Sequence, residues 1–503
     1  MLRRFLRNTT ISAVAYGLAG VLGLFAVGLI ARSYGLAVLG LIVLVRAFLP
    51  TGFLALIDLG VSELTTQSVV RGRMGDWTSA SEKVSLLAVI SAVTGTIAGI
   101  AVWLFAMPLS AVFKVMPDQT QSFVSILIVT AMVLPIAFVG LVAEGALKGF
   151  EEYGWLRLTE VGSNVAYVIS IYAIFWHGGA FEWLAYSYLA TIVAKYLVLA
   201  VVTLLLARRR PLRFRTWSTD SRRDILRRCW LMFNSRIVGS FQQTLPPLAV
   251  GILYGPAEVG AFDLITRLPR FIKTTMAPLY SAILPLSTRI DEGTDTRRLQ
   301  ILGRNGLILP AAVIIPALVI MALFSKDILR IWVGPQHADQ WPWLAMSLFV
   351  PAVSSMLGAG QAALMVRPDF VGMNNQYLYL QVVLQYALTA VGLAWFQERA
   401  FVLGWAISPV VFAPVIARHM LSFMELPKSL FWEHVGRQAM VAAIILAAVA
   451  CYKLYSAPES LVGLAFIGGV GCIAAWVLSF TLILSRGDRA MFSRLARALT
   501  HRS

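Results

Sequence analysis

The chain has 503 residues, of which 58% are hydrophobic and 13% charged, with a mean hydropathy of +0.76. That composition rules out a soluble globular enzyme. The formal charge of +17 has to be read from where it falls, not as a nucleic-acid footprint.

Apolar runs long enough to cross a bilayer recur from end to end, and about fourteen transmembrane helices are predicted. In the first half they fall at 8–34, 36–62, 84–113, 122–147, 158–176 and 183–207. After a basic stretch they resume at 229–253, 262–288, 305–324, 341–366, 374–395 and 400–421, and two more follow at 437–455 and 460–485. The expected fold class is therefore an all-α polytopic membrane protein. It divides into a six-helix bundle (1–207), a basic cytoplasmic linker (208–228) and a second six-helix bundle (229–421). Two additional helices with their preceding loop (422–485) and a basic amphipathic tail (486–503) complete it. The first run is longer than a signal-peptide core and is read as a retained span. No loop is large enough for a nucleotide-hydrolysing domain, and no GxxxxGK-Ser/Thr phosphate loop occurs.

The basic residues cluster on alternate loops. Arg3, Arg4 and Arg7, then Arg71 and Arg73, the series Arg208 to Arg228, Arg297, Arg298 and Arg304, and Arg486 to Arg502 all fall on one side. That asymmetry sets orientation and predicts cytoplasmic amino and carboxyl termini. The same charge attracts anionic headgroups. Cys229, Cys451 and Cys472 sit in or at apolar spans and suggest neither a disulfide nor a metal site.

An internal echo links the two halves. Tyr34-Gly35-Leu36-Ala37-Val38-Leu39-Gly40 joins the first two spans, and Tyr254-Gly255-Pro256-Ala257-Glu258-Val259-Gly260 joins the seventh and eighth. Both read YGxAxxG at outer hairpins, displaced by 220 residues. Six spans separate them, an even number, so the halves run in the same direction and are expected to form pseudo-symmetric bundles.

Within the eighth predicted span stand Arg267, Arg270 and Lys273. The spacing i, i+3, i+6 confines them to an arc of roughly 120°. Charge in hydrocarbon is costly and persists where it lines a protein interior or a water-filled cavity. A row of cations with no carboxylate among them points to an anionic cargo, while salt bridges or interfacial anchoring are the plainer alternative. Arg46 falls at a matching place in the first half, since 46 + 220 is one residue short of Arg267. Pro269 and Pro278 are expected to interrupt this span, as a hinge or as local kinks.

Other polar residues admit two readings each. Lys195 and Arg236 lie within spans and face a cavity or form structural ion pairs. Gln242, Gln243, Gln361, Gln381 and Gln385 hydrogen-bond a sugar or join helices to one another. Asp58, Glu63, Glu144 and Glu160 lie near cytoplasmic span ends, as partners for cytoplasmic Arg or as a proton or sodium site. Tryptophans including Trp103, Trp176, Trp341 and Trp395 fall at span ends as an interfacial belt.

The series Ile30-Ala31-Arg32-Ser33-Tyr34-Gly35, Leu39-Gly40 and Ile57-Asp58-Leu59-Gly60-Val61 resembles the amino-terminal signature of polysaccharide-biosynthesis flippases of the Wzx type. Glu258-Val259-Gly260-Ala261-Phe262-Asp263 through Leu284-Pro285 is similar to that family's second-half hairpin, and Leu147-Lys148-Gly149-Phe150-Glu151-Glu152-Tyr153 to its short cytoplasmic turn. The resemblance implies the multidrug/oligosaccharidyl-lipid/polysaccharide superfamily, with peptidoglycan-precursor flippases and MATE antiporters as cousins. It implies a bacterial inner-membrane location and a V-shaped pair of bundles that work by alternating access. It also implies no enzymatic activity, no cofactor beyond proton or sodium coupling, and no nucleic-acid partner. The implied cargo is an undecaprenyl-pyrophosphate-linked oligosaccharide for O-antigen or exopolysaccharide assembly, with other polysaccharide-assembly membrane proteins as partners. Arginine matches phosphate geometry bidentately, which makes Arg46, Arg267 and Arg270, with Lys273 as a point charge, the expected pyrophosphate contacts. A MATE-like drug antiporter is the alternative, but it would want carboxylates deep in the spans. A polymerase or ligase would want catalytic groups on a sizeable outer loop, and Asp327, Arg330, His337 and Asp339 within 325–340 are a thin constellation for glycosyl transfer.

Overall fold

A computed structural model describes residues 2–208, 212–292, 296–365, 367–455 and 460–484. The amphipathic tail expected at 486–503 lies outside the described residues. Among those described there is no strand. The first half comprises α1 (Leu2–Ala47), α2 (Val61–Arg73), α3 (Trp77–Val112), α4 (Pro117–Gly149), α5 (Tyr153–Trp176) and α6 (Glu182–Arg208). Then follow α7 (Thr219–Gln243), α8 (Leu245–Tyr254), α9 (Pro256–Glu292), α10 (Thr296–Leu323), α11 (Ser325–Trp332), α12 (Trp341–Ser347) and α13 (Phe349–Leu364). The chain continues through α14 (Pro368–Phe396), α15 (Ala400–Phe423), α16 (Ser429–Tyr455) and α17 (Leu461–Leu482).

By length and composition, ten stretches of the described residues are long and apolar enough to cross a membrane. One of them, Asp369–Phe423, holds both α14 and α15. The expected second, seventh and eighth spans do not qualify by themselves. The second is broken after Ala47 and resumes at Val61, the seventh is broken at Thr244 ahead of Pro246 and Pro247, and the eighth carries the cationic row.

Packing divides the chain into two units, Met1–Leu264 and Ile265–Ser503. The division falls inside α9 and not at the basic linker. The linker is strapped to α3: backbone N–H of Arg213 and Arg215 donate to the hydroxyls of Ser81 and Ser85 at 3.2 and 3.0 Å. Ser218 donates from its backbone N–H and its hydroxyl to Glu82 at 3.2 and 2.9 Å, and the Ser221 hydroxyl adds a third bond at 2.8 Å. Lys83 then reaches Asp224 on α7 at 2.8 Å, and Arg228 meets the other oxygen of the same carboxylate at 2.7 Å. These contacts carry α7 into the first unit.

Within the first unit the two YGxAxxG hairpins have the same backbone. Gly35 takes φ 83° and ψ 173°, and Gly255 takes φ 94° and ψ 179°. An L side chain resists that region, so glycine permits both reversals. Five residues on, the helices meet backbone to backbone. A Cβ on Gly40 would stand 1.7 Å from the Pro256 carbonyl oxygen, and one on Gly260 would stand 2.1 Å from that of Leu36. Pro256 is the counterpart of Leu36 and Gly260 that of Gly40, so the contact is reciprocal. A local twofold axis through the crossing produces that arrangement.

In the second unit α10, α13, α14, α15, α16 and α17 share one apolar core. Leu307, Ala311, Phe324, Leu364, Phe370, Met420, Phe431, Val441 and Ala475 are buried together in it. Prolines shape its helix contacts. Pro316 has no N–H for the Ala312 carbonyl one turn earlier, and the Ser479 hydroxyl of α17 donates to that oxygen at 2.6 Å. Trp476 Nε1 donates to the next carbonyl, Val313, at 2.7 Å. The last two helices are thus bonded into this core.

Candidate functional site

Arg46 stands in the last turn of α1, just before the helix breaks at Phe48–Gly52. Its guanidinium carbon lies 4.3 Å from the ring centroid of Tyr188 on α6 and 5.7 Å from that of Tyr167 on α5. Those two rings meet edge to face at 5.1 Å. Asp263 of α9, 2% exposed, acts on the same cation electrostatically. The Arg46 Nε is buried with no hydrogen-bond partner among the described residues. The cation is thus held by two ring faces, a hydrogen bond with Tyr167 and the charge of Asp263. The sequence reading missed Tyr167, Tyr188 and Asp263. The carboxylate inside an apolar run was the signal available for Asp263. Nothing in spacing marked the tyrosines, which come from two other helices.

Arg267, Arg270 and Lys273 are all half-buried along α9. Arg270 lies 5.8 Å from the ring centroid of Trp405 on α15. Among the described residues the Lys273 ammonium has no ion pair, hydrogen bond or ring contact. Neither Pro269 nor Pro278 ends α9, which runs from Pro256 to Glu292. Pro269 deprives the Ile265 carbonyl of its helical N–H, and a neighbour helix compensates. The buried Ser347 hydroxyl lies 3.2 Å from that oxygen and 2.6 Å from its own helix's Leu344 carbonyl, sharing one proton between them. The row is therefore held on one helix, α9.

The acidic residues are engaged elsewhere. Asp58, 4% exposed, pairs with Arg236 and accepts from the Val61 N–H at 3.3 Å, at the start of α2. The same Arg236 meets Glu63 at 2.8 Å and reaches the Ala55 carbonyl at 3.4 Å. Glu144 pairs with Lys148 at 2.8 Å, and Lys148 also donates to the Ser62 hydroxyl at 3.2 Å. Glu160 pairs with Arg157 at 2.5 Å. Lys195 sits 5.1 Å from the Tyr196 ring centroid, close enough for Glu144 to feel its charge. The motif turn after α4 is likewise tied, with Arg73 bonded to Glu151 at 2.9 Å and to the Gly149 carbonyl at 3.1 Å. Of the glutamines, Gln385 is buried, Gln242 and Gln361 are half-buried and Gln243 is exposed. Gln361 donates to Asn374 at 3.1 Å.

Solved structures share the architecture. The lipid II flippase MurJ in an inward closed conformation matches with TM-score 0.71 at 12% identity, covering 93% of this chain and 97% of that one. An inward-facing MATE family multidrug resistance transporter of the MOP superfamily matches with TM-score 0.60 at 16% identity, covering 82% and 94%. A MOP superfamily transporter from Pyrococcus furiosus matches with TM-score 0.54 at 15% identity, covering 84% and 96%. At these identities the likeness shows the fold alone. Among curated proteins no sequence matches. The polysaccharide biosynthesis protein family matches residues 5–291, more than half of the sequence and both hairpins, and the chain belongs to that family.

Proposed function

We propose that this protein is a flippase that carries an undecaprenyl-pyrophosphate-linked oligosaccharide from the cytoplasmic to the outer leaflet of the bacterial inner membrane, for polysaccharide assembly. The observation that carries the reading is the row on α9, in which Lys273 stands half-buried without a counter-charge among the described residues. A desolvated ammonium is retained at cost unless an anion comes to it. Arg267 and Arg270 supply forked donors for the two phosphates, and Lys273 adds a point charge one turn on. Arg46, presented on tyrosine rings, is a further headgroup contact in this reading. A MATE-like exchange of cationic drugs fits less well. It needs free carboxylates, and Asp58, Glu63, Glu144 and Glu160 are each bonded to Arg or Lys, while the buried Asp263 acts on Arg46.

The test is export in a deletion strain complemented at matched membrane levels, read as lipid-linked oligosaccharide held in the cytoplasmic leaflet. Arg267→Ala and Arg270→Ala each remove charge-assisted bonds of roughly 1.5–3 kcal/mol, about ten- to hundredfold in affinity. Lys at either position restores export only in part, because charge returns without the fork. Full export by well-expressed Ala variants at 46, 267 and 270 would overturn the headgroup assignment. Normal export in the deletion strain with altered drug sensitivity would favour the antiporter.

A further inference from the structure

We infer that Gln361, Asn374, Tyr377 and His419 form a binding site for pyranose rings, the glycan end of the cargo; this rests on the flippase reading above. The four residues come from three helices, α13, α14 and α15, of the second unit. Gln361 Nε2 donates to Asn374 Oδ1 at 3.1 Å. The Tyr377 hydroxyl lies 3.1 and 3.2 Å from the two ring nitrogens of His419, and the rings sit 5.2 Å apart, tilted by 42°. His419 Nδ1 is also 2.9 Å from the Val415 carbonyl. With Nδ1–H donating there, Nε2 is the nitrogen left to accept from the tyrosine. Phe412 adds a third ring, 6.4 Å from that of Tyr377.

What remains free after these bonds is a mixed set. Gln361 Oε1 and the phenolic oxygen keep acceptor capacity, and the Asn374 amide keeps donor capacity. None of the four is a carboxylate, an arginine or a lysine. Sugar hydroxyls both donate and accept, and the C–H faces of a pyranose lie against aromatic rings. A network that only joined helices would be closed off, yet Asn374 alone is buried, at 3% exposure, and the other three are half-buried. The four stand near the ends of α13, α14 and α15, where polar side chains that keep exposure are reached by water.

The cluster also stands where a glycan would follow a headgroup. Tyr280, two turns or about 10 Å beyond Lys273 on α9, donates to the Ser354 carbonyl of α13 at 2.9 Å. Its ring lies against Gly358, where a Cβ would come within 2.4 Å of it. Gln361 is one turn further along α13. The cations and this cluster therefore follow one another along α9 and α13, so a ligand with an anionic end and a hydroxyl-rich end can meet both.

The experiment uses the full-length protein in nanodiscs and two probes: undecaprenyl pyrophosphate, and the same lipid bearing an N-acetylglucosaminyl-hexose disaccharide. The wild type is expected to bind the sugar-bearing probe at least tenfold more tightly. Tyr377→Phe, which keeps the ring, and Gln361→Leu should each remove threefold or more of that advantage while leaving the sugar-free affinity unchanged. Equal affinity of the wild type for both probes overturns the glycan site and leaves the headgroup reading standing. An advantage that survives both substitutions, with lowered thermal stability, marks the cluster as structural and also overturns it. Binding of neither probe removes the headgroup reading and the glycan site together.

Discussion

Arg46 shows how ring faces, beside a buried carboxylate, keep a cation in place inside an apolar bundle. The Tyr188 ring face holds the guanidinium, and a desolvated contact of this kind is worth about 1–2 kcal/mol. Tyr188→Phe keeps the face and should export normally, whereas Tyr188→Ala should lose roughly five- to thirtyfold in cargo affinity. Equal loss in both variants would assign the hydroxyl, not the ring. Arg236 is the opposite case, a cation fully spent on carboxylates. Arg236→Ala strands the buried Asp58 and should cost about 3–5 kcal/mol. Glu63→Ala removes a partner that is 51% exposed and should cost less than about 1 kcal/mol. Melting temperatures in detergent decide, and equal losses would refute the ranking. The cationic residues were legible in the sequence because Arg and Lys in apolar runs stand out by composition. Their fates were not. Arg46 and Arg236 look alike in sequence, and only the side chains brought from α2, α5 and α6 separate them.

At the scale of elements, the helices were legible and their continuity was not. Pro269 reads as a break because it removes a hydrogen bond, and the Ser347 hydroxyl that compensates lies 82 residues away along the chain. The second span reads as one apolar run from 36 to 62, yet α1 ends at Ala47 and the turn around Asp58 starts α2. Its anchor, Arg236, is equally remote. The linker was expected as a divider on charge alone, but Ser81, Glu82, Ser85 and Asp224 bind it to α3. Its stability should depend on pH. Burial pushes the Asp224 carboxyl up, but the bonds and charges of Lys83 and Arg228 outweigh this and hold it below its ordinary range. A carboxyl lowered in the folded state contributes fully above its unfolded value of about 3.9 and is lost as the pH falls through the folded one. The melting-temperature gap between wild type and Asp224→Asn should therefore be widest near neutrality and close below about pH 4. A gap independent of pH would exclude the ion pairs as its source.

For the molecule as a whole, the reciprocal contact at Gly40 and Gly260 bears on ancestry. A surface in which Leu36 meets Gly260 while Pro256 meets Gly40 is self-complementary, the geometry of a protein that pairs with a second copy of itself. A half-length, six-helix precursor carrying one YGxAxxG hairpin would have dimerised through it, and gene duplication would then have fused the copies. The covalent join is, on this view, a late convenience and not a folding requirement. A gene cut between Arg208 and Leu212 leaves the strap of Arg213 to Ser221 on the second fragment, still able to find α3. The two fragments, expressed together, should co-purify and restore export, and Gly40→Leu in the first fragment should abolish the association. Fragments that never associate would mean that the peptide bond, and not the surface, brings the repeats together.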